Sequence, residues 1–288
     1  MPYSIPAYNS EQYSDIDLNL TTQEKRERKA KARQGMNMVV LAGEIMLQSG
    51  AETYRVEDTI IRMAKAIKIV NYVDVFVIPT GIFLTFGYDN NINTIIKRTQ
   101  IQGTDLNKIT LVNEFSRDFT SSDMTIAEGM SRLRRIRKVE PYKNFTKAVL
   151  GGGLIGGFSA MLFGGVVQDL MAAFFVSTIV TGLKAVLGPK LNMISYINDF
   201  FASLIIGLLS YLSVQIGVGV NMNEVIIGCL MPLVPGFAIT NATRDSLSGD
   251  FLAGMSRASE AVISALSIAF GVGLALKFIS HFGIGGGL

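Results

Sequence analysis

The sequence predicts an α-helical integral membrane protein of about five spans, preceded by a cytoplasmic α+β domain. Two counts and one run support this fold class. Of the 49 charged residues, 38 lie in residues 1–147 and 11 in residues 148–288. Of the 29 glycines, 22 lie in residues 148–288. The run from Ala148 to Gln168 is uncharged and long enough to cross a bilayer. The chain is therefore predicted to contain a charged module followed by a membrane module.

The charged module is predicted to comprise a disordered tail over 1–30 and an α+β domain over 31–140. Residues 25–33 form a basic run that is typical of a solvated helix start. Apolar residues then recur at helical spacing near 36–47 and 56–67, and the period changes to two afterwards. The remaining elements are strands near 73–78, 82–86 and 92–96, with turns at 79–81 and 89–91, and helices near 104–119 and 123–138.

The membrane module is predicted to occupy 141–280, with a short tail at 281–288. The second and fifth spans are short between charges, so Lys184 and Lys277 are expected to extend their ammonium groups towards the interfaces. The predicted spans lie near 148–168, 170–188, 197–217, 224–243 and 258–280.

Basic residues that flank the spans predict the orientation. Lys184 and Lys190 fall in one inside loop, and Arg244 and Arg257 fall in the next. Lys277 is an exception, because it lies on the outer side. Seven more precede the first span: Arg132, Arg134, Arg135, Arg137, Lys138, Lys143 and Lys147. This distribution predicts a cytoplasmic N-terminus and an outside C-terminus.

Several functional classes lack the residues they need. The Gly151–Gly156 run matches a dinucleotide-binding pattern, but no strand precedes it, and glycines four apart are typical of closely packed membrane helices. Cys229 is the one cysteine, and the one histidine, His281, belongs to no catalytic or metal-binding motif. The basic residues are interleaved with acids or adjoin the membrane, which gives no indication of nucleic-acid binding. We therefore expect no enzyme activity, no metal and no cofactor.

A broken helix in the fourth span is the candidate transport site. Two prolines and a glycine interrupt an apolar segment, and membrane transporters build polar sites from such breaks. The Arg244 guanidinium could bind a substrate carboxylate, or it could form a structural pair with Asp245 or Glu260. The alternative for the two prolines is a kink without a functional role. The candidate pathway residues here are Pro232, Pro235, Gly236, Thr240, Asn241, Arg244, Asp245 and Asp250.

Other polar residues allow two interpretations each. Asp199 is interpreted first as an N-cap of the third span and second as a carboxylate that titrates as protons move. Asp169 and Asp250 are interpreted as caps or turn residues. In the soluble module, a motif at a helix start is typical of ordinary capping. Its residues are Glu52, Thr53, Arg55 and Glu57.

Together these motifs resemble the threonine/serine exporter family. The matching features are SGAETYRVED at 49–58, PTG at 79–81, the basic stretch before the first span, and PGFAITNATRDSLSGD at 235–250. The resemblance covers about 35–275. It implies export of threonine, serine or a dicarboxylate such as succinate across a bacterial cytoplasmic membrane, driven by the proton-motive force.

The resemblance also implies a partner. Full-length members carry two blocks of spans, and this chain has one, so it resembles the larger subunit of the split form. We expect a second, smaller membrane subunit or a homo-oligomer. The alternative hypothesis is a membrane-anchored ligand-sensing regulator, with its site near the 49–58 motif. Deletion of residues 1–140 is expected to distinguish the two.

Overall fold

The computed structural model describes residues 21–89, 91–100, 103–139, 145–191 and 195–281. The chain divides into two compact units. The first comprises residues 1–141 together with 241–257, and the second comprises 142–240 together with 258–288. The segment that joins the fourth and fifth predicted spans therefore packs as part of the first unit.

The first unit is an α+β structure, as predicted. Three antiparallel strands form one sheet in the order β1-β2-β3. The buried core is built from α1, α2, α3 and α4 against Val77, Ile82, Leu84 and Phe86 of the sheet. The elements are α1 Thr22–Gln48, α2 Thr53–Lys65, β1 Tyr72–Ile78, β2 Gly81–Tyr88, β3 Asn91–Arg98, α3 Leu106–Ser121 and α4 Ile126–Arg137.

Helix α1 begins earlier than the sequence pattern predicted. The Thr21 hydroxyl accepts a hydrogen bond from the Glu24 backbone, and the Glu24 carboxylate accepts one from the Thr21 backbone. This capping box stabilises the helix start. The prediction of a tail over 1–30 is therefore wrong for residues 22–30, and residues 1–20 lie outside the described part of the chain.

The second unit is a bundle of apolar helices. Four described helices are long and apolar enough to cross a membrane, and a fifth span is counted if a bent pair is one span. That bent pair consists of Met222–Leu233 and Gly236–Leu247, which meet at 55°. The helices are α5 Phe145–Leu162, α6 Val167–Leu191, α7 Ser195–Gln215, α8 Met222–Leu230, α9 Gly236–Leu247 and α10 Phe251–His281, with a 3-10 turn at Met231–Leu233.

The bend confirms the predicted break in the fourth span. Pro232 lies in the 3-10 turn, and Pro235 immediately precedes α9. The first span, by contrast, ends earlier than predicted. Helix α5 stops at Leu162 because the chain turns at Gly164, whose φ of +100° is accessible to glycine at little cost. Residues 163–166 form the connection to α6, so the predicted limit at Gln168 is wrong.

The predicted role of the glycines in the first span is confirmed by the packing of α5 on α6. Gly152, Gly153, Gly156 and Gly157 are all buried. A β-carbon at Gly157 would lie 2.9 Å from a backbone carbonyl oxygen of α6, a separation that real β-carbons do not show. The absence of side chains therefore lets the two helices approach closely.

Candidate functional site: a buried arginine–carboxylate network

The α1–α2 loop provides two backbone acceptors to the segment 241–257. Gly50 adopts a φ of +81°, which turns the chain between the helices. Its carbonyl oxygen accepts a hydrogen bond from Asn241 Nδ2 at 3.0 Å. The next carbonyl, that of Ala51, accepts from Arg257 Nη2 at 2.7 Å. These bonds join parts of the sequence that are about two hundred residues apart, and both lie inside the first unit.

Glu52 is the N-cap residue of α2, and its carboxylate lies between two guanidinium groups. Arg244 donates to Oε1, and Arg55 Nη1 lies 3.3 Å from Oε2. The Glu52 side chain is 7% exposed, whereas that of Arg244 is 51% exposed. The Arg244 side chain is thus half-exposed while it is held by a buried carboxylate.

The Glu52 carboxyl is ionised at neutral pH. Desolvation by burial raises its pKa, but this effect is outweighed by the hydrogen bonds from its own backbone N–H and from Arg244, and by the charges of Arg55 and Arg244. The net result is a pKa below the ordinary value of 4.5. The site therefore presents an anion and a cation side by side.

Asp245 directly follows Arg244 in α9 and is fully buried. Thr53 donates to its Oδ1 from both the hydroxyl, at 3.1 Å, and the backbone N–H, at 3.4 Å. Arg257 Nε lies 3.0 Å from Oδ2. These two atoms are not aligned for a hydrogen bond and have no other hydrogen-bond partner among the described residues. Their contact is therefore electrostatic, between side chains that are 0% and 4% exposed.

Helical spacing brings these side chains onto one face. Asn241, Arg244 and Asp245 are separated by three and four positions, which places them on the same side of α9. The chain then turns at Gly249, with φ +90°, before α10. Asp250 Oδ1 accepts from the Ala253 backbone at 3.1 Å, which confirms the interpretation of Asp250 as a turn and cap residue.

We call this assembly the arginine–carboxylate network. Its three guanidinium groups exceed its two carboxylates by one, which leaves a net charge of +1. Its members are Gly50, Ala51, Glu52, Thr53, Arg55, Asn241, Arg244, Asp245 and Arg257.

Glu57 lies one helical turn beyond Thr53 and is half-buried. Its carboxylate accepts a hydrogen bond from the Val77 backbone at 2.9 Å, which ties α2 to β1. Desolvation is the largest cause that raises its pKa, followed by the negative charges of Asp250, Asp74 and Asp245, and the Val77 bond offsets them in part.

The remaining candidate residues belong to the second unit. They are Pro232, Pro235, Gly236, Thr240 and Asp199. Asp199 is the fifth residue of α7 and is buried, so the preferred interpretation as an N-cap is wrong. Its Oδ1 accepts from Lys184 Nζ at 2.6 Å, and its Oδ2 accepts from the Ser264 hydroxyl at 3.0 Å. This carboxylate joins α6, α7 and α10.

Asp169 serves both as a cap and as a tether between elements. Its Oδ2 accepts from the Val166 backbone at 3.0 Å, and its Oδ1 accepts from the backbones of Val220 and Asn221 at 2.7 and 2.8 Å. The capping interpretation is thus confirmed, and the tether to the turn before α8 is an addition to it.

The structure brings together two motifs that sequence reasoning had kept separate. The alternative pairings of Arg244 with Asp245 or Glu260 are wrong, because Arg244 pairs with Glu52. Arg257 was predicted only as a flanking charge, and its part in the network was missed. The available signal was an arginine within a long apolar helix, a position where ionisable residues are rare and often functional. Among the described residues, no group of three or more His, Cys, Asp or Glu side chains could hold a metal.

Fold and network together define a multi-pass membrane protein that carries a small α+β unit and a buried ionic network. A comparison with protein families then identifies the particular group. The family model described as "Putative threonine/serine exporter" matches residues 37–279. The chain belongs to this threonine/serine exporter family.

Individual relatives are distant. The chain is 21% identical over 250 residues to the "Threonine/serine exporter" of Corynebacterium glutamicum, which covers 84% of this chain and 50% of that protein. It is 20% identical over 257 residues to the "Probable threonine/serine exporter" of Mycobacterium tuberculosis, with 88% and 47% covered. It is also 24% identical over 234 residues to "Pheromone-regulated membrane protein 10" of Zygosaccharomyces rouxii, with 80% and 24% covered. The chain thus spans about half or less of the length of these relatives. No solved structure matches it significantly.

Proposed function

We propose that the chain is a subunit of a secondary exporter for small carboxylate metabolites, driven by the proton-motive force. The observation that carries the proposal is the Glu52–Arg244 pair, in which an exposed guanidinium is positioned by a buried, ionised carboxylate. Membership of the threonine/serine exporter family supports the same function. The proposed location is a bacterial cytoplasmic membrane, with the N-terminus in the cytoplasm.

In this proposal Arg244 binds the substrate carboxylate. A planar guanidinium can bind a carboxylate through two parallel hydrogen bonds. The two Glu52 oxygens already accept from Arg244 and Arg55, and a second lone pair on either oxygen can accept a hydrogen bond from the ammonium group of an amino acid. An ionised Glu52 would repel the second carboxylate of a dicarboxylate, so the pair favours threonine or serine over succinate.

The broken fourth span completes the proposed pathway. Pro232 and Pro235 interrupt the regular helix, and transporters place substrate contacts at breaks of this kind, with Gly236 at the start of the following helix. Thr240, whose side chain is exposed, and Asn241 supply further polar contacts.

Proton coupling is assigned to the aspartates. Asp199 and Asp245 are each held in an ion pair, so protonation of either would release its cation. Asp250 remains a third candidate, although its carboxylate already caps α10.

The proposed exporter requires more than this chain. The chain covers 50% and 47% of the two exporter relatives, so a second, smaller membrane subunit or a second copy is proposed to supply the remaining helices.

The first experiment measures efflux from proteoliposomes that contain the full chain, alone and together with the proposed smaller membrane subunit, with and without a proton gradient. Arg244→Ala should abolish flux of labelled serine and threonine, and Arg244→Lys should restore part of it. Arg62→Ala is the matched control because Arg62 pairs with Asp58 on an exposed face of α2. Normal flux with inserted Arg244→Ala protein would refute the site.

Substrate choice is tested by Glu52→Gln in the same assay. This variant removes the negative charge but keeps a side chain of similar size. We expect it to lower serine and threonine flux and to raise succinate flux relative to them. An unchanged ratio would contradict the role of Glu52 in selection.

A ligand-sensing regulator is the second candidate function. It is favoured by the position of Glu52 and Thr53 in the α+β domain. Deletion of residues 1–140 no longer distinguishes the two functions, because it would remove these residues of the network. Serine binding by the inserted chain, with no flux alone or with its membrane partner, would instead support the regulator.

A further inference from the structure

A basic groove lies between α1 and α4 of the first unit. Its main cavity of about 600 Å³ is lined in part by Arg134, Arg135 and Lys138 of α4 and by Gln34 and Asn37 of α1. An adjoining cavity of about 350 Å³ shares the same two amide side chains. It adds Arg26, Lys29 and Arg33 of α1. Together the two cavities, which we call the groove, are lined by six cationic side chains.

Helical spacing groups the cations of each helix on one side. Arg26, Lys29 and Arg33 are separated by three and four positions, so they form one stripe on α1. Arg134 and Lys138 are four positions apart on α4 and its C-cap. No aspartate or glutamate lines either cavity.

The six groove cations lack carboxylate partners within ion-pair distance in the described part of the chain. Other arginines of the same two helices do have them: Arg28 lies 2.9 Å from Asp89, and Arg132 lies 2.7 Å from Asp118. Arg28 and Arg132 are therefore paired, whereas the six groove cations have no such partner among the described residues. Like charges that line the same groove repel each other, and a bound anion would relieve that repulsion.

We propose that this groove binds the phosphate group of an anionic phospholipid. Arginine and lysine together suit phosphate oxygens, through paired hydrogen bonds and point charge respectively. In the sequence, Lys138 precedes the first membrane helix, which begins at Phe145, and basic clusters next to a span are typical of anionic-lipid sites. Ile126 and Met130 add apolar surface to the lining, which suits a headgroup with attached glycerol carbons. This site is independent of the proposed transport function.

The test measures bound lipid on the full chain by native mass spectrometry. The protein is purified from mixtures of phosphatidylglycerol and phosphatidylcholine. We expect the parent to retain phosphatidylglycerol selectively. The variant R134Q/R135Q/K138Q should lose affinity for phosphatidylglycerol on the order of a hundredfold, because each basic residue near an anionic lipid contributes roughly fivefold to binding and three are removed. The matched control R62Q/R98Q/R117Q removes the same charge from exposed positions outside the groove.

Three results would overturn the proposal. Equal loss in the two triple variants would indicate general charge attraction without a site. Equal retention of both lipids by the parent would exclude headgroup selection. Binding of inorganic phosphate in neutral lipid as tightly as the headgroup would assign the groove to a soluble phosphate. Should the α4 variant fail to fold, R26Q/K29Q/R33Q tests the opposite wall, and loss of selective retention is again expected.

Discussion

Removal of the Arg257 guanidinium leaves the Asp245 carboxylate without a counterion at a fully buried position. Removal of one member of a buried ion pair costs about 3–5 kcal/mol. Arg257→Ala also deletes the hydrogen bond to the Ala51 carbonyl, which is worth about 1 kcal/mol. Thr53 still donates twice to the carboxylate. The expected loss is therefore roughly 4–6 kcal/mol in the free energy of unfolding of the first unit.

For a domain of this size, each kcal/mol lowers the melting temperature by about 2–4 °C, so Arg257→Ala should lower it by roughly 10–20 °C. The sequence contains no tryptophan, so unfolding of the full chain in detergent is followed by circular dichroism. The double variant Asp245→Asn/Arg257→Gln should recover part of the loss, since it leaves no unpaired charge. A melting temperature for Arg257→Ala within about 2 °C of that for Arg62→Ala would refute the reasoning.

Three further predictions concern other positions. Gly228→Ala should lower the yield of folded protein, because the added β-carbon would lie 2.6 Å from a carbonyl oxygen of α5. Gly273→Ala is the control, because a β-carbon there would have no atom within 4 Å, and equal yields of the two variants would contradict the prediction. The raised pKa of Glu57 means that the parent loses stability as this carboxyl ionises, whereas Glu57→Gln does not. The melting temperature of Glu57→Gln should therefore rise relative to that of the parent between about pH 4 and about pH 8, and parallel pH profiles would contradict this prediction. Lys184 and Asp199 form an ion pair, so removal of one partner leaves an unpaired charge. Asp199→Asn or Lys184→Gln alone should therefore reduce the yield of membrane-inserted protein more than Asp199→Asn/Lys184→Gln does, and additive losses would argue against a coupled pair.

Local patterns were sufficient to predict most elements of the fold. The alternation of apolar residues predicted the three strands, and the prolines predicted the break before α9. These signals are carried by neighbouring residues. The helix start predicted over residues 25–33 lies slightly after the observed start at Thr22, because a polar, charged first turn has no apolar stripe to mark it, although the capping pair Thr21 and Glu24 was present in the sequence.

The network was predictable only in part. Glu52 and Arg244 were each identified, but the sequence spacing of 192 residues gives no indication that they meet. At the level of sequence, Glu52 has the features of a helix cap and Asp199 those of an N-cap. A single sequence shows which residues are costly to bury, whereas only the fold shows which of them pair with each other.

The composition of the network also argues against a purely structural role. In the Asp245–Arg257 pair both side chains are almost completely buried. The Glu52–Arg244 pair differs, because the carboxylate is buried while half of the arginine side chain is exposed. A buried charge paired with an exposed long side chain costs desolvation and offers little stability in return. Such a pair is more readily understood as a binding element, in which Glu52 fixes the position of a guanidinium that remains accessible to a ligand.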